Sequence, residues 1–180
     1  MTDLNSLSIV ATTDPVWYDR FAAMMANSDP WKTLGMDAAA CRAGFQGPCK
    51  EIFVATCKDE PAGLAILQVC GSFNGYIQIL FVAEAFRGRG LGKQLLAFCE
   101  QRILQHSPNV FICVSTFNTK ALRLYEMSGF TLVGKLTDFV KPGFDEWLLR
   151  KTAGSLLGYN ITPPSGYPPG ATPRTGKPGS

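Results

Sequence analysis

Three glycines alternate with other residues in Arg87-Gly88-Arg89-Gly90-Leu91-Gly92, and Lys93 follows. Glycine reaches backbone dihedrals closed to other residues and lets a ligand come close to main-chain amides. An apolar run, Tyr76 to Val82, leads into the segment, and a helical pattern leaves it. The turn therefore opens a helix, whose free N–H groups and dipole favour an anion. Arg87, Arg89 and Lys93 add positive charge at the same place, so a phosphate or pyrophosphate is the natural guest. The plainer alternative is a tight strand-to-helix turn that needs glycine for its shape alone.

Two phosphate motifs nearly fit this segment and fail. The dinucleotide pattern G-x-G-x-x-G requires glycine at position 93, where Lys93 stands. The P-loop requires glycine at position 87 and Ser or Thr after its lysine, and here those places hold Arg87 and Gln94.

A second set lies downstream, in Val114-Ser115-Thr116-Phe117-Asn118 and the helical pattern after it. Asn118 and Tyr125 are seven residues apart, about two helical turns, so both can project from one face. Each has an ordinary reading: Asn118 as an N-cap, Tyr125 as a core aromatic with a satisfied hydroxyl.

Taken together, Arg87-x-x-Gly90-x-Gly92 after a strand, and Asn118 followed by Ala121-x-x-Leu124-Tyr125 and a closing Gly129-Phe130, resemble the two signatures of the GNAT superfamily of N-acetyltransferases. The resemblance covers Glu51 to Lys151. It implies an α/β (α+β) fold, with a central mixed, mostly antiparallel sheet of about six to seven strands flanked by about four helices. It also implies acetyl-CoA as cosubstrate and no metal. Arg87, Gly88, Arg89, Gly90, Leu91, Gly92 and Lys93 would hold the pyrophosphate, and Asn118 the pantetheine arm or diphosphate. A main-chain N–H near Phe81–Val82 would meet the oxyanion, and the Tyr125 hydroxyl would serve the departing sulfur as general acid.

The acceptor implied is an amine-bearing small molecule or a peptide. Its pocket in such folds lies between the first two helices and the last hairpin. Trp17, Trp31, Phe45 and Phe139 are candidates to line it, or are core aromatics, and Asp138 or Glu146 could attract a cationic amine. The general base stays open, because the strand before the glycines offers Tyr76 and Gln78 where some members carry glutamate. Glu51, Glu84, Asp138 and Glu146 are candidate ends of a water chain, or solvated carboxylates. The link Val82 to Phe86 also lacks the proline that many members have there. A second function class is a non-catalytic acyl-CoA-binding module acting as sensor or assembly partner, against which the intact Asn118 and Tyr125 argue. By analogy alone, a homodimer is an option.

These residues need elements to position them. Asp14-Pro15 predicts a helix start, with the helix running to about Asn27. A short turn over Trp31 to Leu34 and a second short helix, Ala38 to Phe45, follow. Strands are expected over Glu51–Cys57, Ala62–Val69 and Tyr76–Val82, the first two joined by a turn at Lys58 to Pro61. The glycine turn then opens a long helix carrying Leu91, Leu95, Cys99 and Ile103 on one stripe. Val110 to Val114 reads as a central strand, Gly129 as the left-handed end of the helix that Asn118 opens, and Phe130–Val140 with Asp145–Arg150 as a final hairpin.

With 180 residues, 46% of them apolar, the chain suits one domain with a real core. Residues 1–151 form that domain. Residues 152–180 hold six Pro, six Gly and no acid, which predicts a flexible C-terminal tail. The alternative is an arm packing on a neighbouring subunit through Leu156, Leu157, Tyr159 and Tyr167. Net charge is +3, of which Arg174 and Lys177 in the tail supply two. A near-neutral body without a basic stripe argues against a nucleic-acid partner. No apolar run is long enough for a membrane span and no secretory leader is visible, so a soluble, cytoplasmic protein is expected. The six cysteines are scattered and most lie in apolar runs, which predicts free, buried thiols. A lone histidine, His106, argues against a protein zinc site.

Overall fold

The computed structural model describes residues 6–71 and 73–160. It opens with a strand that sequence analysis does not anticipate, β1 (Leu7–Ala11). Helix α1 (Pro15–Ala26) starts as expected: Asp14 Oδ1 accepts the Val16 N–H at 2.9 Å, and Pro15 occupies the first turn. Helix α2 (Ala38–Ala43) is capped by Asp37, whose Oδ1 accepts the Ala40 N–H at 2.8 Å, and it stops two residues earlier than predicted.

Strands β2 (Lys50–Cys57) and β3 (Glu60–Gln68) form a tight hairpin. Lys58 and Asp59 both have positive φ, the twist that suits a two-residue connection. The strand thus begins at Glu60 rather than Ala62. Pro61 is tolerated because the pairing with β2 skips a residue beside it, where no regular ladder bond is lost.

Beyond them lie β4 (Tyr76–Val82), α3 (Leu91–Leu104), β5 (Asn109–Ser115), α4 (Thr119–Met127), β6 (Thr131–Lys141) and β7 (Phe144–Thr152). The described strands make one seven-stranded sheet in the order β1-β2-β3-β4-β5-β7-β6. Only β4 and β5 run parallel. The fold is the mixed, mostly antiparallel sheet with four flanking helices that the resemblance implies.

Each face of the sheet has its own core. Phe21 and Met25 of α1 and Cys41 of α2 pack on Val54, Leu64, Ile66 and Phe81. On the other face Leu95 and Cys99 of α3 and Tyr125 of α4 pack on Leu67, Ile77, Ile112 and Leu149. Each large side chain so buried contributes about 1.5–3 kcal/mol.

One expectation is corrected. Cys49 and Cys70 form a disulfide, whereas Cys41, Cys57, Cys99 and Cys113 remain thiols. The hairpin brings the start of β2 beside the end of β3, where the Val69 N–H bonds Cys49 O at 2.9 Å. That proximity is not visible from sequence spacing. After β7, Tyr159 donates its hydroxyl to Leu104 O at 2.8 Å on the same chain, while Leu156 and Leu157 are exposed. Tyr167 and the rest of residues 161–180 lie outside the described residues.

Candidate active site

The site begins where the sheet comes apart. β4 and β5 pair only at Tyr76 with Phe111 and Ile77 with Ile112. On its other side β4 pairs with β3 to its end, but Ile66 faces Ile79 while Leu67 faces Ile77, leaving Gln78 as an extra residue. Such a bulge bends its strand and increases its twist. It falls directly after the last β4–β5 pair, so β4 turns away from β5 and a gap opens between them.

The gap leaves main-chain groups without a strand partner. The Ala83 N–H bonds Ala62 O of β3 at 2.9 Å. By strand alternation Phe81 also faces β3, whereas the peptide groups of Val82 and Leu80 face the gap. Arg87 Nε donates to Val82 O at 3.0 Å. The Val82 N–H remains as a donor aimed into the gap. Phe81 contributes a wall instead, its ring edge-on to Phe21 and Trp31 at 6.0 and 5.7 Å between centroids.

The glycine turn lies at the end of the same strand. A single helical turn, Glu84–Phe86, leads to Arg87, and Gly88 and Gly90 then take φ of +73° and +84°. An added Cβ at either would meet nothing within 4 Å, so backbone conformation and not crowding requires glycine there. Gly90 caps α3 with no side chain, and the first bond of the helix runs from the Gln94 N–H to Gly90 O at 3.1 Å. The N–H groups of Leu91, Gly92 and Lys93 thus have no intrahelical acceptor. Arg87, Arg89 and Lys93 stand exposed around them. At Gly92 a Cβ would come 3.4 Å from Leu124 and 3.7 Å from Val82, so this glycine also seats α3 between α4 and β4. The cradle can take a pyrophosphate.

Asn118 and Tyr125 come from α4, on the same side of the sheet as α3. Asn118 is the N-cap, its Oδ1 accepting the Ala121 N–H at 3.2 Å, which leaves Nδ2 as its remaining donor. Tyr125 is 5% exposed, and no described residue hydrogen-bonds its hydroxyl. Burial pushes its phenol well above the ordinary range, with smaller contributions from Cys99 and the charge of Glu146. A phenol so held stays protonated, which suits a proton donor and not a base.

Four carboxylates were candidates for the base, and the fold separates them. Glu51 is held by Arg102 through two bonds of 2.6 and 2.7 Å. Glu84 is exposed. Asp138 accepts the Gly143 N–H at 2.6 Å and shapes the β6–β7 hairpin. Glu146 alone is buried, 4% exposed, and accepts a bond from Ser115 Oγ at 2.5 Å. Burial raises its carboxyl, and the Ser115 bond partly offsets that. Tyr76, raised mainly by burial, bonds Cys113 and feels the charge of Glu146. Sequence reasoning missed Ser115 and Cys113, because their partners arrive only once the sheet assembles, Glu146 on β7 for Ser115 and Tyr76 on β4 for Cys113.

Of the aromatics proposed for the acceptor pocket, Phe45 is buried, and Trp17 and Trp31 are half-buried against the same core. Trp17 stacks on Phe21, Phe45 on Tyr18, and Trp31 meets Phe81. Phe139 differs, being 56% exposed on β6. Lys141 Nζ donates to Leu34 O at 2.8 Å and ties the end of β6 to the segment between α1 and α2. Among the described residues no cluster of His, Cys, Asp or Glu could hold a metal ion, and no helix is long and apolar enough to cross a membrane.

Comparison with known proteins agrees with this geometry. The sequence model of the acetyltransferase (GNAT) family matches residues 16–130. An acetyltransferase of Agrobacterium fabrum, Atu2258, is 37% identical over 76 residues, which is 42% of this chain and 55% of that protein. The match thus spans about half the length of that relative. Among solved structures, the ribosomal-protein-S18-alanine N-acetyltransferase of Escherichia coli superposes with a TM-score of 0.65 at 18% identity, over 87% of this chain and 99% of that one. A Bacillus anthracis protein solved with acetyl coenzyme A superposes with a TM-score of 0.53 at 20% identity, over 60% and 65% of the two chains. On the family match, the split sheet and the glycine cradle at its mouth, the chain belongs to the GNAT family of acetyltransferases.

Proposed function

We propose that the protein moves an acetyl group from acetyl-CoA to a primary amine by direct attack, with Tyr125 as general acid. The observation that carries this reading is the gap after Gln78. It runs from the α3 N-terminus, where Gly90 offers no side-chain cap, past the edge of Val82 that faces away from β3, to a buried phenol that no described residue hydrogen-bonds. An elongated donor, anionic at one end and reactive at the other, fits that sequence of groups. The acetyl-CoA in the Bacillus anthracis relative and the alanine acceptor in the name of the Escherichia coli relative support the same pair of substrates.

In this reading Arg87, Gly88, Arg89, Gly90, Leu91, Gly92 and Lys93 hold the pyrophosphate through main-chain N–H groups and positive charge. The gap-facing peptide groups of Leu80 pair with the amides of the pantetheine arm, and Asn118 adds its Nδ2. The Val82 N–H meets the thioester oxygen as it gains charge, the kind of fixed donor that removes several kcal/mol from a barrier. Tyr125 gives its proton to the departing sulfur. Holding amine and thioester in one gap supplies the proximity term.

A free-thiol assay with acetyl-CoA against polyamines, amino acids, aminoglycosides and peptide N-termini tests the reading. Amine-dependent thiol release with an acetylated product is expected. Thermal stabilisation by CoA with no acceptor anywhere in the panel would instead identify a non-catalytic acyl-CoA-binding module.

A further inference from the structure

Glu146 is a carboxylate taken out of water, and among the described residues no cation pairs with it. A buried carboxylate is costly unless its several acceptor sites are filled, and Ser115 Oγ fills one. The groups that face it are neutral: Tyr76 from β4, Cys113 and Ser115 from β5, and Tyr125 from α4. The residue opposite on β6 is Leu136, and the nearby Lys135 is engaged by Asp145 at 2.8 Å. The described residues therefore present a negative charge and supply no counter-ion for it.

Its position gives that charge a purpose. Trp147 and Leu149, its neighbours along β7, pack into the core under α3 and α4, so Glu146 points to the opposite face of the sheet. Its partner Ser115 ends β5, past the point where β4 has left. Tyr125 reaches the gap from the α3–α4 side, Glu146 from the other. The charge of Glu146 is nonetheless felt at the Tyr125 phenol. An acid and a carboxylate thus flank one gap from opposite faces.

We propose that Glu146 is the general base, receiving the acceptor as an ammonium ion and taking the proton its nitrogen must lose before attack. This rests on the acetyltransferase reading above. The nitrogen gives up two protons in all as the N–C bond forms and the C–S bond breaks. One passes to Glu146 and on to solvent. The sulfur takes the proton of Tyr125, and the second nitrogen proton restores the phenol. The acceptor class that follows is the aliphatic amine, cationic before it binds.

The test is kcat/KM against pH for the wild type, Glu146→Gln and Ser115→Ala, with CoA affinity measured alongside. Glu146→Gln should lower kcat about 10²–10³-fold, the range for losing an acid–base group, and abolish the rise in activity from acid to neutral pH. CoA affinity should stay unchanged. Ser115→Ala removes a bond that favours the charged carboxylate, so the same rise should move to higher pH. A wild-type rate and pH profile in Glu146→Gln would overturn the proposal. So would an unshifted profile in Ser115→Ala, which decides the matter should the Gln variant not fold. A wild type that binds CoA yet acetylates no amine would fell the underlying reading itself, and Glu146's role with it.

Discussion

Arg87 Nε donates to Val82 O at 3.0 Å, so the first residue of the cradle is tied to the last peptide of β4. The bond fixes the glycine turn against the strand edge that must receive the rest of the donor. Arg87→Ala should therefore weaken acetyl-CoA binding about 5–10-fold, the effect of roughly 1 kcal/mol from one exposed charge-assisted bond. Calorimetry with CoA checks this, and kcat at saturating donor should change less than KM.

Gly90→Ala and Gly134→Ala separate backbone conformation from space. Neither added Cβ meets an atom within 4 Å, but only Gly90 has positive φ. Gly90→Ala should cost about 1–2 kcal/mol of stability, the penalty of the left-handed region. It should also raise KM for acetyl-CoA, because the turn that exposes the α3 amides is the part under strain. Gly134→Ala should leave KM unchanged. Denaturant melts and steady-state kinetics on both variants decide it.

Glu51 and Glu146 are both carboxylates of the sheet, yet they should behave oppositely. Glu51 is in a two-bond ion pair with Arg102, a structural contact away from the gap. Glu51→Gln should lower stability by about 1–3 kcal/mol, between the values for exposed and buried pairs, and leave kcat within about twofold. A thermal melt and a rate measurement on the same preparation check both halves.

The disulfide makes a direct chemical prediction. Thiol titration of denatured, unreduced protein should find the four cysteines outside the disulfide, and reduction should reveal all six. Reduction should also destabilise the native protein by about 2–4 kcal/mol, the usual range for losing such a cross-link. Melts with and without reductant measure it.

What the sequence reveals follows the range of the interactions involved. Asp14-Pro15, Asn118 and Gly129 act within one helical turn, and each appears where its residue type predicts, Gly129 with φ +89°. The cradle is legible for the same reason, since strand, glycines and helix are contiguous. Strand β1 is not, because it is a short edge strand whose side chains are mostly exposed, with little hydrophobic pattern to read. The Cys49–Cys70 bond and the Ser115–Glu146 contact depend on pairings set by the whole sheet. The Gln78 bulge, which opens the gap, leaves no mark in YIQILFV at all.

The most direct measurement of the central claim is thiol release by Tyr125→Phe beside the wild type, at saturating acetyl-CoA with an accepted amine. No described residue hydrogen-bonds the hydroxyl, so its removal should leave the melting temperature nearly unchanged. The account predicts a fall in kcat of about 10²–10³-fold. It also places the alkaline loss of wild-type activity above the ordinary phenol range, because the raised phenol keeps its proton to higher pH. Wild-type turnover by Tyr125→Phe would contradict the account.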